Sequence, residues 1–238
     1  MSLWTSEQIA TATGGRETSE FAVDGLSIDT RSLTSGDLFV ALKDVRDGHD
    51  FIEAAVAAGA AGVLCETSPD AVPAVVVNDT TKALEALGVY AVNTRSALRI
   101  GVTGSVGKTS VKDALAVMLS TFGTAHKSQK SFNNHYGVPI TLATLPAAAD
   151  FAVLEMGMNH AGEMSGLSKL VKPQIALINN VVGAHLAHFD NVEGIADAKA
   201  EIMDGMSAGD TLILNGDNPH TPRIRAKAEK LGLTIWTF

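Results

Sequence analysis

The chain has 238 residues, 46% of them hydrophobic, and a formal net charge of −8. That is enough apolar matter for a buried core and for one large or two small domains. An acidic balance argues against a general nucleic-acid or anionic-membrane binder, while leaving room for a local basic site.

The opening MSLWTSEQIA carries neither a basic lead nor an apolar h-region, and no apolar run approaches the length of a membrane span, so a cytoplasmic location is expected. Within it, TSEQIATATGG predicts a short helix, with Thr5 and Gln8 at capping-box spacing and Gly14 as its stop. Short strands follow at GLSIDT, GDLFVAL, AGVLC and AVVV, with helices over about 50–58 and 79–93. The lone Cys65 falls in the third of these strands. It permits no intramolecular disulfide and reads as a small core residue of a protein in a reducing compartment.

Near residues 93–97 the rhythm becomes strict. Strands at LRIGVT, GTAHK, DFAVLEM, QIALINN, DTLILN and LTIWTF alternate with helices from Lys108, near 138–145, near 163–171, near 192–206 and near 219–231. Such alternation implies βαβ units and a mainly parallel sheet covered on both faces. The expected fold is α/β: a small N-terminal α/β domain over 1–95, then a mostly parallel P-loop NTPase-like sheet flanked by helices over 96–238. Ligands of such sheets lie beyond the carboxyl ends of the strands, so each strand end is a candidate.

The first of these ends is GVTGSVGKTS, Gly101 to Ser110. A strict P-loop wants glycine where Val102 stands, so the expression fails by one position. What survives is a turn on Gly104 and Gly107 whose backbone amides can face an anion, with Ser105, Lys108, Thr109 and Ser110 at a helix N-terminus. That is the chemistry of a nucleotide phosphate site; the plain alternative is a glycine-rich turn with a solvated lysine. Glu155 ends DFAVLEM and could share Mg²⁺ with the Thr109 hydroxyl, since hard cations take oxygen ligands. Otherwise it is an ordinary polar strand terminus. The loop after QIALINN supplies His185 and His188, each of which, taken alone, reads as a surface or core histidine. SFNNHYGVPITL offers Asn133 and Asn134 before a turn at Gly137 and Pro139. In the first domain, Thr30, Arg31, Ser32, Lys43, His49 and Asp50 gather around strand ends, fit either for a phosphorylated ligand or as solvated loops.

Taken together, DTRSLTSGDLFVALKDVRDGHDF, GVTGSVGKTS, SFNNHYGVPITL, LEMGMNHAGEM and NNVVGAHLAHFDNVEGIADAKAEI resemble the Mur ligase family, the ATP-dependent amide-forming ligases of peptidoglycan precursor synthesis. The family pattern Thr-Gly-x-x-Gly-Lys-Thr falls on Thr103 to Thr109 and accounts for the failed strict expression. NNHYGVP and EMGMNHAGE point to the member whose small-molecule substrates are UDP-N-acetylmuramoyl-tripeptide and D-alanyl-D-alanine. The resemblance implies Lys108 on the β- and γ-phosphates of ATP, with Thr109 and Glu155 on one Mg²⁺. It further implies His185 on a second metal, and Lys199 as the family's carbamylated lysine. An ammonium there would repel the metals, whereas a carbamate is an anionic oxygen ligand. Asn133, Asn134 and Thr141 match the substrate-facing segment, and Thr30, Arg31, Ser32, Lys43 and His49 fall where the uridine-diphosphate end is received.

The family continues into a further Rossmann-like domain, which this chain is expected to lack, and without it no turnover is expected. Three other readings stay open: a sister ligase adding one amino acid, a folylpolyglutamate-type ligase, and a P-loop kinase or non-catalytic nucleotide-binding protein. The muramyl-binder look of the first domain stands against the second of these. In the third, Lys199 needs no carbamate; the plain alternative for Lys199 itself is a helix-surface lysine paired with Glu201 or a nearby acid.

Overall fold

The computed structural model describes residues 2–183, 189 and 191–238. Two compact units separate along the chain, Met1–Asn93 with Leu142–Pro146, and Thr94–Thr141 with Ala147–Phe238.

In the first unit, strand β1 (Trp4–Thr5) runs straight into helix α1 (Ser6–Thr13). Thr5 Oγ1 accepts from the Gln8 amide and Gln8 Oε1 from the Thr5 amide, the reciprocal box its spacing predicts, and Gly14 ends the helix in the left-handed conformation. Six further short strands follow: β2 (Arg16–Glu17), β3 (Ala22–Val23), β4 (Gly25–Ser27), β5 (Asp37–Val40), β6 (Gly62–Cys65) and β7 (Ala74–Val76). β1 pairs with β3, and the others form a sheet in the order β2-β7-β6-β5-β4, parallel except for β2 against β7. Helices α2 (Ile52–Ala57) and α3 (Thr80–Thr94) complete the α/β pattern read from the sequence. Phe39, Ala41, Ala55, Val63, Cys65 and Ala74 form a buried cluster in this unit. Burial pushes the Cys65 thiol up to about 11, which makes it an inert core residue.

The second unit is built on strands β8 (Leu98–Thr103), β9 (Ala125–Lys127), β10 (Phe151–Glu155), β11 (Ile175–Ile178), β12 (Thr211–Leu214) and β13 (Thr234–Thr237). They form one six-stranded sheet in the order β13-β12-β11-β8-β10-β9, every pair parallel. Its helices are α4 (Lys108–Leu119), α5 (Gly137–Ala143, whose last residues cluster with the first unit), α6 (Glu163–Val171), α7 (Val192–Ala200) and α8 (Thr221–Lys230). From β8 the chain crosses by α4 to one edge, and from β11 it crosses by α7 toward the other. The carboxyl ends of these two adjacent strands therefore border the topological switch point, where open α/β sheets bind ligands. No helix among the described residues is long and apolar enough to cross a membrane.

The helix expected over 192–206 divides. α7 ends at Ala200 and a 3₁₀ turn, Glu201–Gly205, takes over. The tighter turn lets this segment dock on α6: Ser168 Oγ donates to the Ile202 carbonyl at 2.5 Å and accepts from the Gly205 amide at 2.9 Å. A Cβ on Gly205 would stand 2.0 Å from the Ser168 carbonyl oxygen, which is backbone and cannot swing aside. Gly205→Ala is expected to cost about 1–3 kcal/mol, as overpacking typically does, read as a lower midpoint in urea unfolding; an unchanged midpoint would mean that the two segments separate freely.

Candidate active site

β8 delivers Thr103 to the sheet edge and α4 starts at Lys108, with Gly107 as N-cap at φ 79° and no side-chain cap. A helix begun this way leaves its first amides without intrahelical acceptors and presents positive potential to an anion. The loop is held in shape from β11. Asn180 Oδ1 accepts from the Ser105 and Val106 amides at 3.0 and 3.1 Å, the Asn179 amide group donates to the Val106 carbonyl at 3.0 Å, and Ser105 Oγ exchanges hydrogen bonds with the Val182 backbone. Two of the amides expected to face an anion are thus spent on the protein itself, and the anion-facing part contracts to the Gly107–Ser110 end. Lys108 Nζ donates to the Gly104 carbonyl at 3.0 Å, folding back over the loop.

Beneath the loop lies Glu155, 1% exposed at the end of β10. Its Oε2 accepts from Thr109 Oγ1 at 2.8 Å, its Oε1 from Asn133 Nδ2 at 2.8 Å, and its amide donates to Ser128 Oγ at 3.1 Å. Three residues chosen at separate strand ends and turns therefore meet. A hydroxyl and a carboxylate oxygen side by side at a phosphate-ready helix N-terminus suit Mg²⁺, which takes one or two protein oxygens and fills its shell with water and phosphate. No group of three or more His, Cys, Asp or Glu able to hold a metal occurs among the described residues.

Lys199 is 2% exposed on α7, and no carboxylate among the described residues pairs with it. Desolvation, with the nearby Lys108 charge, pulls its ammonium down to about 7. This overturns the surface-lysine alternative: Glu201 instead accepts from the Gly162 and Ser165 amides and caps α6. His185 and His188 lie outside the described residues.

Asn134 accepts through Oδ1 from the Tyr136 and Gly137 amides and so starts α5, while Thr141, 3% exposed, donates to the Gly137 carbonyl within that helix. In the first unit the candidate residues form two self-paired groups. Arg31 forks onto Asp29 at 2.6–3.1 Å and, by that bond, holds the carboxyl down to about 2; Thr30 and Ser32 flank it. Lys43 lies 2.5 Å from Glu66. His49 Nε2 accepts from the Glu66 amide at 2.8 Å, so Nδ1 carries the ring proton and donates to Asp47 at 2.6 Å. Sequence reasoning passed over Asn179, Asn180 and Lys112, the last a lysine with 1% exposure on α4. Its spacing of four from Lys108 places both on one helix face, a signal that could have found it.

The Mur ligase middle domain profile matches residues 102–238, and that of the Mur ligase family catalytic domain matches 22–100. A UDP-N-acetylmuramoyl-tripeptide--D-alanyl-D-alanine ligase of Rickettsia prowazekii is 36% identical over 99% of this chain and 54% of its own, and one of Bacillus subtilis is 41% identical over 83% and 44%. Among solved structures, MurF from Acinetobacter baumannii superposes with TM-score 0.86 at 35% identity over 99% of this chain and 52% of its own. MurF ligase from Thermotoga maritima in complex with ADP gives 0.74 at 28% identity over 90% and 50%. The chain spans about half the length of the curated relatives it matches.

The Lys199 environment has a measurable sign. Its folded value near 7 lies below the unfolded 10.5, so between these the unfolded chain holds a proton the native state has released, and native stability climbs with pH. Lys199→Met, which removes the buried ammonium, is expected to raise Tm most at pH 6 in CO₂-free buffer, with the gain shrinking as pH rises through 7 toward 9. A gain independent of pH would show that the ammonium is solvated.

Proposed function

Because the chain belongs to the Mur ligase family, we propose that it forms the UDP-muramyl-substrate-binding region (1–95) and ATP-binding region (96–238) of a cytoplasmic ligase that joins D-alanyl-D-alanine to UDP-N-acetylmuramoyl-tripeptide. The observation that carries this reading is the Thr109–Glu155–Asn133 constellation under the phosphate loop, with Lys199 buried and near enough to Lys108 to feel its charge. The names of the relatives supply the substrates.

In this reading Lys108 exchanges the Gly104 carbonyl for a phosphate oxygen of ATP, and the amides of Gly107–Ser110 hold the rest of the anion. Thr109 and Glu155 hold Mg²⁺, which when bound neutralises phosphate charge. Asn133, bonded to Glu155, sets the edge at which the tripeptide carboxylate approaches, with Asn134 fixing the turn. The carboxylate attacks the γ-phosphorus and ADP departs. The amine of D-alanyl-D-alanine then attacks the acyl phosphate, loses a proton and expels phosphate, leaving the amide. Positioning and charge neutralisation account for most of the acceleration. Lys199, held near neutrality by burial, adds CO₂ with loss of a proton and would present carbamate oxygens to a metal. Arg31 and Lys43, both exposed, trade their part-buried carboxylate partners for the uridine-diphosphate end, an exchange eased by the small net worth of ion pairs that water reaches.

Product analysis with a ligase of the relatives' full length that contains this chain, supplied with ATP and UDP-N-acetylmuramoyl-tripeptide and with D-alanyl-D-alanine, single amino acids or folate plus glutamate as competitors, tests the assignment. Amide formation confined to D-alanyl-D-alanine is expected; turnover with a single amino acid in its place would transfer the protein to a sister activity. Lys108→Ala is expected to weaken ATP binding in calorimetry by about tenfold or more, as loss of a charge-assisted contact does. In that full-length ligase, Lys199→Ala is expected to lose activity and recover part of it with acetate, which occupies the vacated oxygen position; full activity without acetate would remove the carbamate.

A further inference from the structure

Lys112 is the largest feature of the second unit that the proposed chemistry leaves unused. Its side chain is 1% exposed, as is that of Glu155, so neither charge is relieved by water. Nζ donates to the Lys130 carbonyl at 2.5 Å and lies 3.5 Å from Asp113 Oδ1 and 3.9 Å from Glu155 Oε2. Asp113 is half-exposed and already bonded to Lys127 at 2.6 Å. Glu155 is thus the one carboxylate in this set that shares the interior with Lys112. The oxygen nearest the ammonium, Oε2, is also the one that takes the Thr109 hydroxyl, the oxygen offered to a cation.

We propose that Lys112 is a positioning residue acting through Glu155: a built-in counter-ion that holds this carboxylate in place before nucleotide arrives and keeps a divalent cation from settling there alone. Two like charges in a poorly screened interior repel strongly. A bare divalent ion on Glu155 feels Lys112, whereas one entering with nucleotide brings phosphate charge that offsets the repulsion. The metal is thereby tied to the nucleotide. A purely architectural lysine would need the Lys130 carbonyl and no more; its approach to Oε2 is what that role does not require. The proposal rests on Glu155 being a metal ligand, and the test separates the two ideas.

Free Mn²⁺ is measured by electron paramagnetic resonance during titration of the wild-type protein, Glu155→Gln, Lys112→Gln and the double variant, with and without ADP. Glutamine keeps a donor for the Lys130 carbonyl and removes the charge. Wild type should bind Mn²⁺ with ADP and lose that binding in Glu155→Gln; if it does not, the metal-ligand reading itself fails. Given that binding, Lys112→Gln without nucleotide should hold Mn²⁺ at least about tenfold more tightly than wild type, and the double variant should lose the gain. A folded Lys112→Gln with unchanged nucleotide-free affinity overturns the proposal. If Lys112→Gln does not fold, recovery of folding in the double variant is the expected mark of an uncompensated Glu155 charge, and failure to recover overturns the proposal equally.

Discussion

A carboxylate buried at the carboxyl end of a parallel strand is the constraint from which the polar architecture of the second unit follows. Glu155 cannot turn to water, so each need of its two oxygens and its amide is met by protein: Thr109 from the first turn of α4, Asn133 from the segment ahead of α5, Ser128 from just after β9, and Lys112 one turn further along α4. Only a parallel arrangement brings those segments together. β10 lies between β8 and β9, so the chain leaving each neighbour emerges at the same edge as Glu155. One buried charge thus fixes where the phosphate loop, the first helical turn and the asparagine turn stand relative to one another.

The loop itself shows the same economy in a different form. A glycine turn able to face its amides to an anion is also a turn able to face them elsewhere, and here Asn180 takes two of them. The result is a loop rigidly joined to β11 whose remaining anion-binding capacity is concentrated at the helix end, where the aligned peptide dipoles are strongest. Those bonds tie the phosphate loop to the end of β11 across the switch point.

Most of the fold was legible in the sequence because it is governed by local chemistry and periodicity. The capping box of Thr5 and Gln8, the alternation of apolar strands with helices after residue 97 and the glycine turn before Lys108 each declare themselves within a dozen residues. The members of the site that end strands or open helices, Thr109 and Glu155, were legible for the same reason. What was hidden depends on contacts distant in sequence. In KTSVKDALAVML, Lys112 shares a helix face with Lys108, but its burial arises only because β9 and β10 pack against α4. Asn179 and Asn180 read as a strand terminus, and nothing local says that they hold a loop more than 70 residues earlier. Glu201 sits two residues after Lys199 and so invites pairing with it, yet the 3₁₀ turn after Ala200 sends the carboxylate to the start of α6.

The two buried lysines show why burial alone does not assign a role. Lys112 is ringed by a carbonyl and two carboxylates. Lys199, of nearly equal burial, has no carboxylate partner among the described residues and feels the charge of Lys108, so its amine is pulled down to about 7. A neutral amine is a nucleophile and an ammonium is not; the first can take up CO₂ and the second cannot. The same side chain thus meets two different surroundings: on α4 Lys112 faces carboxylates, while on α7 Lys199 faces none among the described residues and is drawn toward the neutral amine.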